Sequence, residues 1–159
     1  HAVSRLVAEG RAQPGRCTTH KEPLDPDLPP VSDVARGPED PFEAQLWRLH
    51  GSGMRWIQAR LASHPEERAR VEEELPYVMA QVSWAVQAEQ ARLLEDVLVR
   101  RLQVFYRAPD QGRRAAPQVA EHMAALLGEG PEWVTGQLEA YSTLLDLSQR
   151  GARALGASG

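Results

Sequence analysis

Seven of the chain's twelve prolines fall between residues 10 and 41, at positions 14, 23, 26, 29, 30, 38 and 41, and the other five are scattered singly through the rest. Proline lacks the N–H that a helix or ladder needs, and it pushes the preceding residue toward extended backbone. Residues 10–41 therefore read as an extended Pro-rich linker with few internal contacts. What precedes it, residues 1–9, places Val3, Leu6 and Val7 on one helical face before Gly10. So short a helix is marginal alone, and it reads as the truncated end of a preceding domain. The His1-Ala2-Val3 opening reads as a cut from a longer chain.

From Asp40 the pattern turns helical. Asp40-Pro41 is an N-cap followed by proline at the first helical position. Phe42, Leu46 and Leu49 then recur at helical spacing up to Gly51. Ser52 opens a helix with Trp56, Ile57 and Leu61 on one face, which His64-Pro65 breaks. The charged run from Pro65 to about Glu74 reads as a short helix anchored by Val71, its acids forming a solvated face. Residues 78–91 and 95–107 form two helices with a break near Leu93-Leu94. The first carries Val78, Val82, Ala85 and Glu89 down one side, and the second carries Leu98, Leu102 and Phe105, widened by Val97, Val104 and Tyr106. Pro109 to Gly112 is a turn. Val119, Met123 and Leu126 mark a helix from Pro117 to Gly128. Val134, Leu138, Tyr141 and Leu145 mark the last one, which starts at Gly130-Pro131. Trp47, Trp56, Trp84 and Trp133 sit in apolar stripes and read as core anchors. The predicted fold is thus all-α: a helical domain over 42–150 of about six or seven helices, with a frayed tail over 151–159.

The formal net charge is −4, with acids and bases interleaved along the helices, so nothing draws the chain toward nucleic acid or anionic lipid. One cysteine, Cys17, excludes an internal disulfide. No stretch approaches the roughly 20 apolar residues of a membrane span. No G-x-G-x-x-G follows a strand and no G-x-x-x-x-G-K-[ST] occurs. His20, His50, His64 and His122 have no partner at i+4 that would pair two metal ligands on one helix face. The serines sit in no nucleophile elbow. The residues therefore offer no catalytic, cofactor-binding or metal site.

One segment stands apart. Residues 77–106 set Trp84, Glu89, Glu95, Asp96, Arg100 and Arg101 among apolar neighbours. Asp96 and Arg100 are four apart, in the favourable acid-first order, and Glu89 lies within reach of the same arginines. The set reads as a structural ion-pair cluster joining two helices, partly covered by Trp84. Its sharper alternative is an anion site built on Arg100 and Arg101. The arginines find acids locally, so no external anion is required.

The run W-A-V-x-x-E-x-A at Trp84–Ala91, followed by L-E-D-V-L-x-R-R at Leu94–Arg101, resembles the C-terminal domain of bacterial FAD-dependent, quinone-linked glycerol-3-phosphate dehydrogenases. C-T-T-H-K-E-P-L at 17–24, L-H-G-S-G at 49–53 and L-P-Y-V-M-A-Q-V at 75–82 extend the likeness, which runs from about residue 2 to residue 148. Gln81 stands where that family usually has Glu, Gln90 replaces a common Met, and Leu102-Gln103 replaces a typical Thr-Arg. The resemblance implies a parent that oxidises sn-glycerol 3-phosphate to dihydroxyacetone phosphate, with electrons passing to FAD and then to quinone. It implies a cytoplasmic protein, peripheral on the inner face of the membrane, often a homodimer. The FAD and substrate residues of such a parent lie in a separate N-terminal FAD domain, so this chain is expected to be an accessory helical domain, inactive alone. The competing readings are a stand-alone helical interaction module that shares the fold, and a small enzyme acting on a phosphorylated substrate through Arg100 and Arg101.

Overall fold

The boundaries of the helices are set by residues that start or end a turn. The computed structural model describes residues 5, 7–11 and 39–156, with side chains described to Arg150. The chain divides into two units, His1–Arg36 and Gly37–Gly159. In the first, Arg5, Val7 and Ala8 are helical, the Glu9 N–H donates to the Arg5 carbonyl at 2.9 Å, and Gly10 has φ 69°. The Pro-rich linker read over 10–41 lies almost wholly outside the described residues, as does Cys17.

In the second unit, α1 (Pro41–His50) starts where Asp40 accepts from the Phe42 and Glu43 N–H groups at 3.0 and 2.9 Å. It ends at Gly51, with φ 54°. Helix α2 (Gly53–Ser63) stops ahead of Pro65. Helix α3 spans Met79–Gln87, α4 is the single turn Val104–Arg107, α5 spans Ala116–Leu127, and α6 spans Pro131–Gly156. Gly128, at φ 75°, closes α5 in the left-handed conformation that glycine takes without strain. Six α-helices, a 3₁₀ turn and a π-helical turn make up the described unit, and no strand occurs among the described residues. The fold is all-α, as the periodicity indicated.

Three segments differ from the sequence expectation. Pro65–Arg68 is a 3₁₀ turn, and no helix continues to Glu74. Instead Arg70 and Val78 form an antiparallel bridge: the Val71 N–H donates to Tyr77 O at 2.9 Å and the Met79 N–H to Ala69 O at 3.0 Å. That detour buries Val71, Leu75 and Tyr77, which a regular helix could not place on one side. The helix read over 78–91 ends at Gln87, six residues before the expected break. The Glu89 and Ala91 N–H groups turn back to the Trp84 and Ala85 carbonyls at 3.3 and 2.8 Å, and Gln90 is left-handed at φ 57°. The helix read over 95–107 is interrupted. Asp96–Arg101 is a π turn closed by Leu102 N–H on Val97 O at 2.9 Å, Gln103 is left-handed at φ 55°, and Tyr106 is 70% exposed rather than part of the apolar stripe.

The unit has two apolar clusters. The larger joins α3, the 94–104 segment, α5 and α6 through Val82, Val86, Leu94, Leu98, Val119, Met123, Tyr141 and Leu145. The smaller joins α1 and α2 through Leu46, Ile57 and Leu61, with Trp56 and Trp84 against it. Helix α3 lies between them and is buried nearly all round, as expected of a central helix. All four tryptophans are half-buried, and Trp56, Trp84 and Trp133 sit at the margins of these clusters rather than at their centres.

Candidate functional site

Helix α3 carries two polar side chains with no exposed surface, Gln81 and Ser83. A buried polar group is costly unless it is hydrogen-bonded, and both are. Each anchors a polar node on a different side of the helix.

The Gln81 side chain accepts the Val78 N–H at 3.1 Å, satisfying a first-turn donor of α3, and its amide nitrogen donates to His50 Nε2 at 2.9 Å. An amide nitrogen only donates, so the neutral His50 ring carries its proton on Nδ1, which is buried without a hydrogen-bond partner. Burial holds the His50 pKa below the usual imidazole value, against the opposing pull of the Glu89 carboxylate. The His50 ring meets the Trp84 ring edge-on, with centroids 6.2 Å apart, and Trp56 packs on Trp84 at 5.4 Å. Gly53 makes this possible: a Cβ there would sit 2.5 Å from Trp84 Cζ2. The indole N–H donates to Glu89 Oε1 at 2.9 Å, and the other carboxylate oxygen pairs with Arg101 Nε at 2.9 Å. Arg101 also donates to the Glu89 carbonyl at 3.2 Å. The L-H-G-S-G turn, the Gln81 segment and the W-A-V-x-x-E-x-A run thus converge on one junction between α1, α2, α3 and the π turn.

On the other side, Ser83 donates to Glu67 Oε2 at 2.9 Å, and Arg60 donates to the same carboxylate, with Nη2 2.6 Å from Oε1. His122 Nε2 lies 2.8 Å from Ser83 Oγ and 3.6 Å from Glu67 Oε1. Because the hydroxyl gives its one hydrogen to Glu67, His122 must be the donor to Ser83. A nucleophilic serine would instead give its proton to the imidazole, and Ser83 has no exposed surface. The set ties α2, the 3₁₀ turn, α3 and α5 to one carboxylate. Burial alone would raise the Glu67 pKa, but hydrogen bonds from Arg60 and Ser83 outweigh it and hold the carboxyl below its ordinary value. Burial lowers the His122 pKa, with Glu67 opposing.

Of the six residues singled out from sequence, Trp84, Glu89 and Arg101 form one set, and Glu95, Asp96 and Arg100 form another. Arg100 pairs with Glu95 at 2.8 Å and with Asp96 at 2.9 Å on an exposed surface. Burial alone would raise the Asp96 pKa, but the Arg92 and Leu93 N–H groups and the Arg100 guanidinium pull it below its ordinary value. The Arg60–Glu67–Ser83–His122 node was not read from sequence. Glu67, read as part of a solvated face, is 3% exposed, and Glu72 is 6% exposed with Arg114 on it at 3.0 Å. A serine in the middle of a mostly apolar helix was the one available signal. Among the described residues, no helix is long and apolar enough to cross a membrane.

Residues 37–133, more than half of the chain, match the family model described as the C-terminal domain of alpha-glycerophosphate oxidase. The chain belongs to that family. Both polar nodes fall within the matched residues. Among curated proteins, a glycerol-3-phosphate dehydrogenase of Mycobacterium leprae (strain TN) is 30% identical over 90 residues, covering 57% of this chain and 15% of that protein. Glycerol-3-phosphate dehydrogenase 2 of Mycobacterium tuberculosis (strain H37Rv) is 34% identical over 79 residues, covering 50% of this chain and 14% of its own length. The matched stretch is therefore a small fraction of each of these relatives. No solved structure matches the chain.

Proposed function

We propose that the chain is an accessory helical domain of an FAD-dependent sn-glycerol-3-phosphate dehydrogenase and is catalytically silent by itself. The observation that carries this reading is the family match over residues 37–133, and the names of the similar dehydrogenases supply the reaction. In the proposed parent, glycerol 3-phosphate loses a hydride to FAD and a proton to a base, giving dihydroxyacetone phosphate, and the reduced flavin passes its electrons to quinone. The parent is proposed to work at the cytoplasmic face of the membrane.

The cavity between α1, α2 and the 3₁₀ turn does not fit the flavin. It measures about 600 Å³ and is lined by Asp40, Phe42, Glu43, Gln58, Leu61 and Arg68. Two carboxylates against one guanidinium are the wrong charge for a pyrophosphate. The buried polar groups of α3 are engaged with groups on the neighbouring elements, which suits bracing rather than turnover. Chemistry is therefore assigned to the parent's remaining length, and the Trp84 and Glu67 nodes fix the shape of the domain that supports it.

The test is to purify the chain, add FAD and glycerol 3-phosphate, and record the flavin spectrum and turnover. The expected result is a colourless protein with neither. A stoichiometric flavin band or turnover would overturn the reading.

A further inference from the structure

His50 ends α1 and Gln81 lies in the first turn of α3, and the hydrogen bond between them admits only one protonation state of the imidazole. The Gln81 carbonyl oxygen is committed to the Val78 N–H at 3.1 Å, so its amide nitrogen faces His50 Nε2 at 2.9 Å. An amide nitrogen donates and never accepts. The bond therefore needs a bare lone pair on Nε2. A proton added there sets two donors against each other at a side chain with no exposed surface. Turning the amide over only moves the conflict: its oxygen would accept from His50, and its nitrogen would face the Val78 N–H. Gln81 can satisfy the helix or the protonated ring, but not both.

One acceptor lies close by. His50 packs edge-on against Trp84, whose indole N–H donates to Glu89, and the Glu89 carboxylate is the charge that acts on His50. Other charges on the packed elements are engaged or exposed. Helix α3 carries no ionisable side chain. On α2, Arg60 is held by Glu67 and Arg55 is exposed. On the π turn, Arg101 is bound to Glu89, and on α1 itself Arg48 is exposed.

We infer that protonation moves the His50 ring from Gln81 to Glu89, so that the end of α1 lets go of α3 and Glu89 is shared between His50 and Trp84. The Nδ1 proton, buried without a partner in the neutral ring, is free to find an acceptor in the same move. Burial holds the His50 pKa below the usual imidazole value, so the transfer belongs to mildly acidic solution. The junction is internal to this chain, so failure of the inference would leave the functional reading untouched.

Nitrogen-15 NMR of the whole 159-residue chain across pH 5 to 8 tests it, with circular dichroism to check folding. Trp84→Phe assigns the Trp84 indole, and His50→Gln assigns the His50 ring. The Trp84 indole N–H signal should shift with the same midpoint as the His50 ring. Gln81→Glu supplies a carboxylate that accepts from Val78 and from the protonated ring together. It should raise the His50 midpoint by about one pH unit, a tenfold gain in proton affinity, and leave the indole signal unmoved across it. His50→Gln, which keeps an acceptor for Gln81, should make the indole signal independent of pH over this range, and it decides the matter alone if Gln81→Glu does not fold. An indole signal that ignores the His50 titration in the unsubstituted chain would overturn the inference. So would a folded Gln81→Glu chain whose His50 titrates at the unsubstituted midpoint, or an indole shift that persists in His50→Gln.

Discussion

Glu67 and Ser83, sixteen residues apart, meet through a 2.9 Å hydrogen bond inside the protein, and Arg60 closes on the same carboxylate. Removing one partner of a buried pair strands the other. Glu67→Ala should therefore cost about 3 kcal/mol of stability, and Ser83→Ala about 1 kcal/mol, both read from urea unfolding curves. Equal stability of Glu67→Ala and the parent chain would show that the node does not bind the helices.

Stability should fall in two stages as the solution is acidified. His50 and His122 have folded-state pKa values below their ordinary value. Below about pH 6.5 the unfolded chain takes up protons that the folded chain refuses, so stability declines as pH drops from there. The Glu67 carboxyl is also depressed, so its contribution is fully present above the ordinary Glu range, near pH 4.3, and is lost as pH falls through its folded value. Midpoints of thermal unfolding across pH 3 to 8 check both. His122→Gln, which keeps a donor for Ser83, should flatten the upper stage.

The helix ends at Asp40-Pro41, Gly51, Gly128 and Pro131 were legible because each acts on its own turn. The Asp96–Arg100 pair was legible for the same reason. The fate of Glu67 was not: its partners Ser83 and His122 lie on other helices, and a carboxylate in a charged run looks solvated until those helices fold against it. The π turn at Asp96–Arg101 was equally hidden, since the apolar spacing of Val97, Leu98 and Leu102 suits a regular helix as well as a wider turn. Trp84 and Glu89 stood out in one segment, but their hydrogen bond and the glycine that admits the indole, Gly53, declare themselves only in three dimensions.

Gly53→Ala should disturb that junction. Its new Cβ would meet the Trp84 ring at 2.5 and 2.8 Å, and overpacking of this kind costs roughly 1–3 kcal/mol. The indole would shift away from Glu89, so a change in tryptophan fluorescence should accompany the loss of stability. An unchanged spectrum with full stability would contradict the close contact.

Arg100→Ala should be nearly silent. Its ion pairs with Glu95 and Asp96 lie on exposed surface, where water and salt screen them and such pairs add little. Calorimetry of the chain with glycerol 3-phosphate should show no specific heat. Submillimolar binding abolished by Arg100→Ala would establish an anion site in place of a structural pair.

The most direct test of the central claim is a graft. Residues 37–133 replace the matching segment of glycerol-3-phosphate dehydrogenase 2 of Mycobacterium tuberculosis, and quinone-linked oxidation of glycerol 3-phosphate is measured alongside flavin content. An accessory domain of this family should yield a flavin-loaded protein that still turns over. A graft that folds and holds its flavin yet cannot oxidise glycerol 3-phosphate would contradict the account.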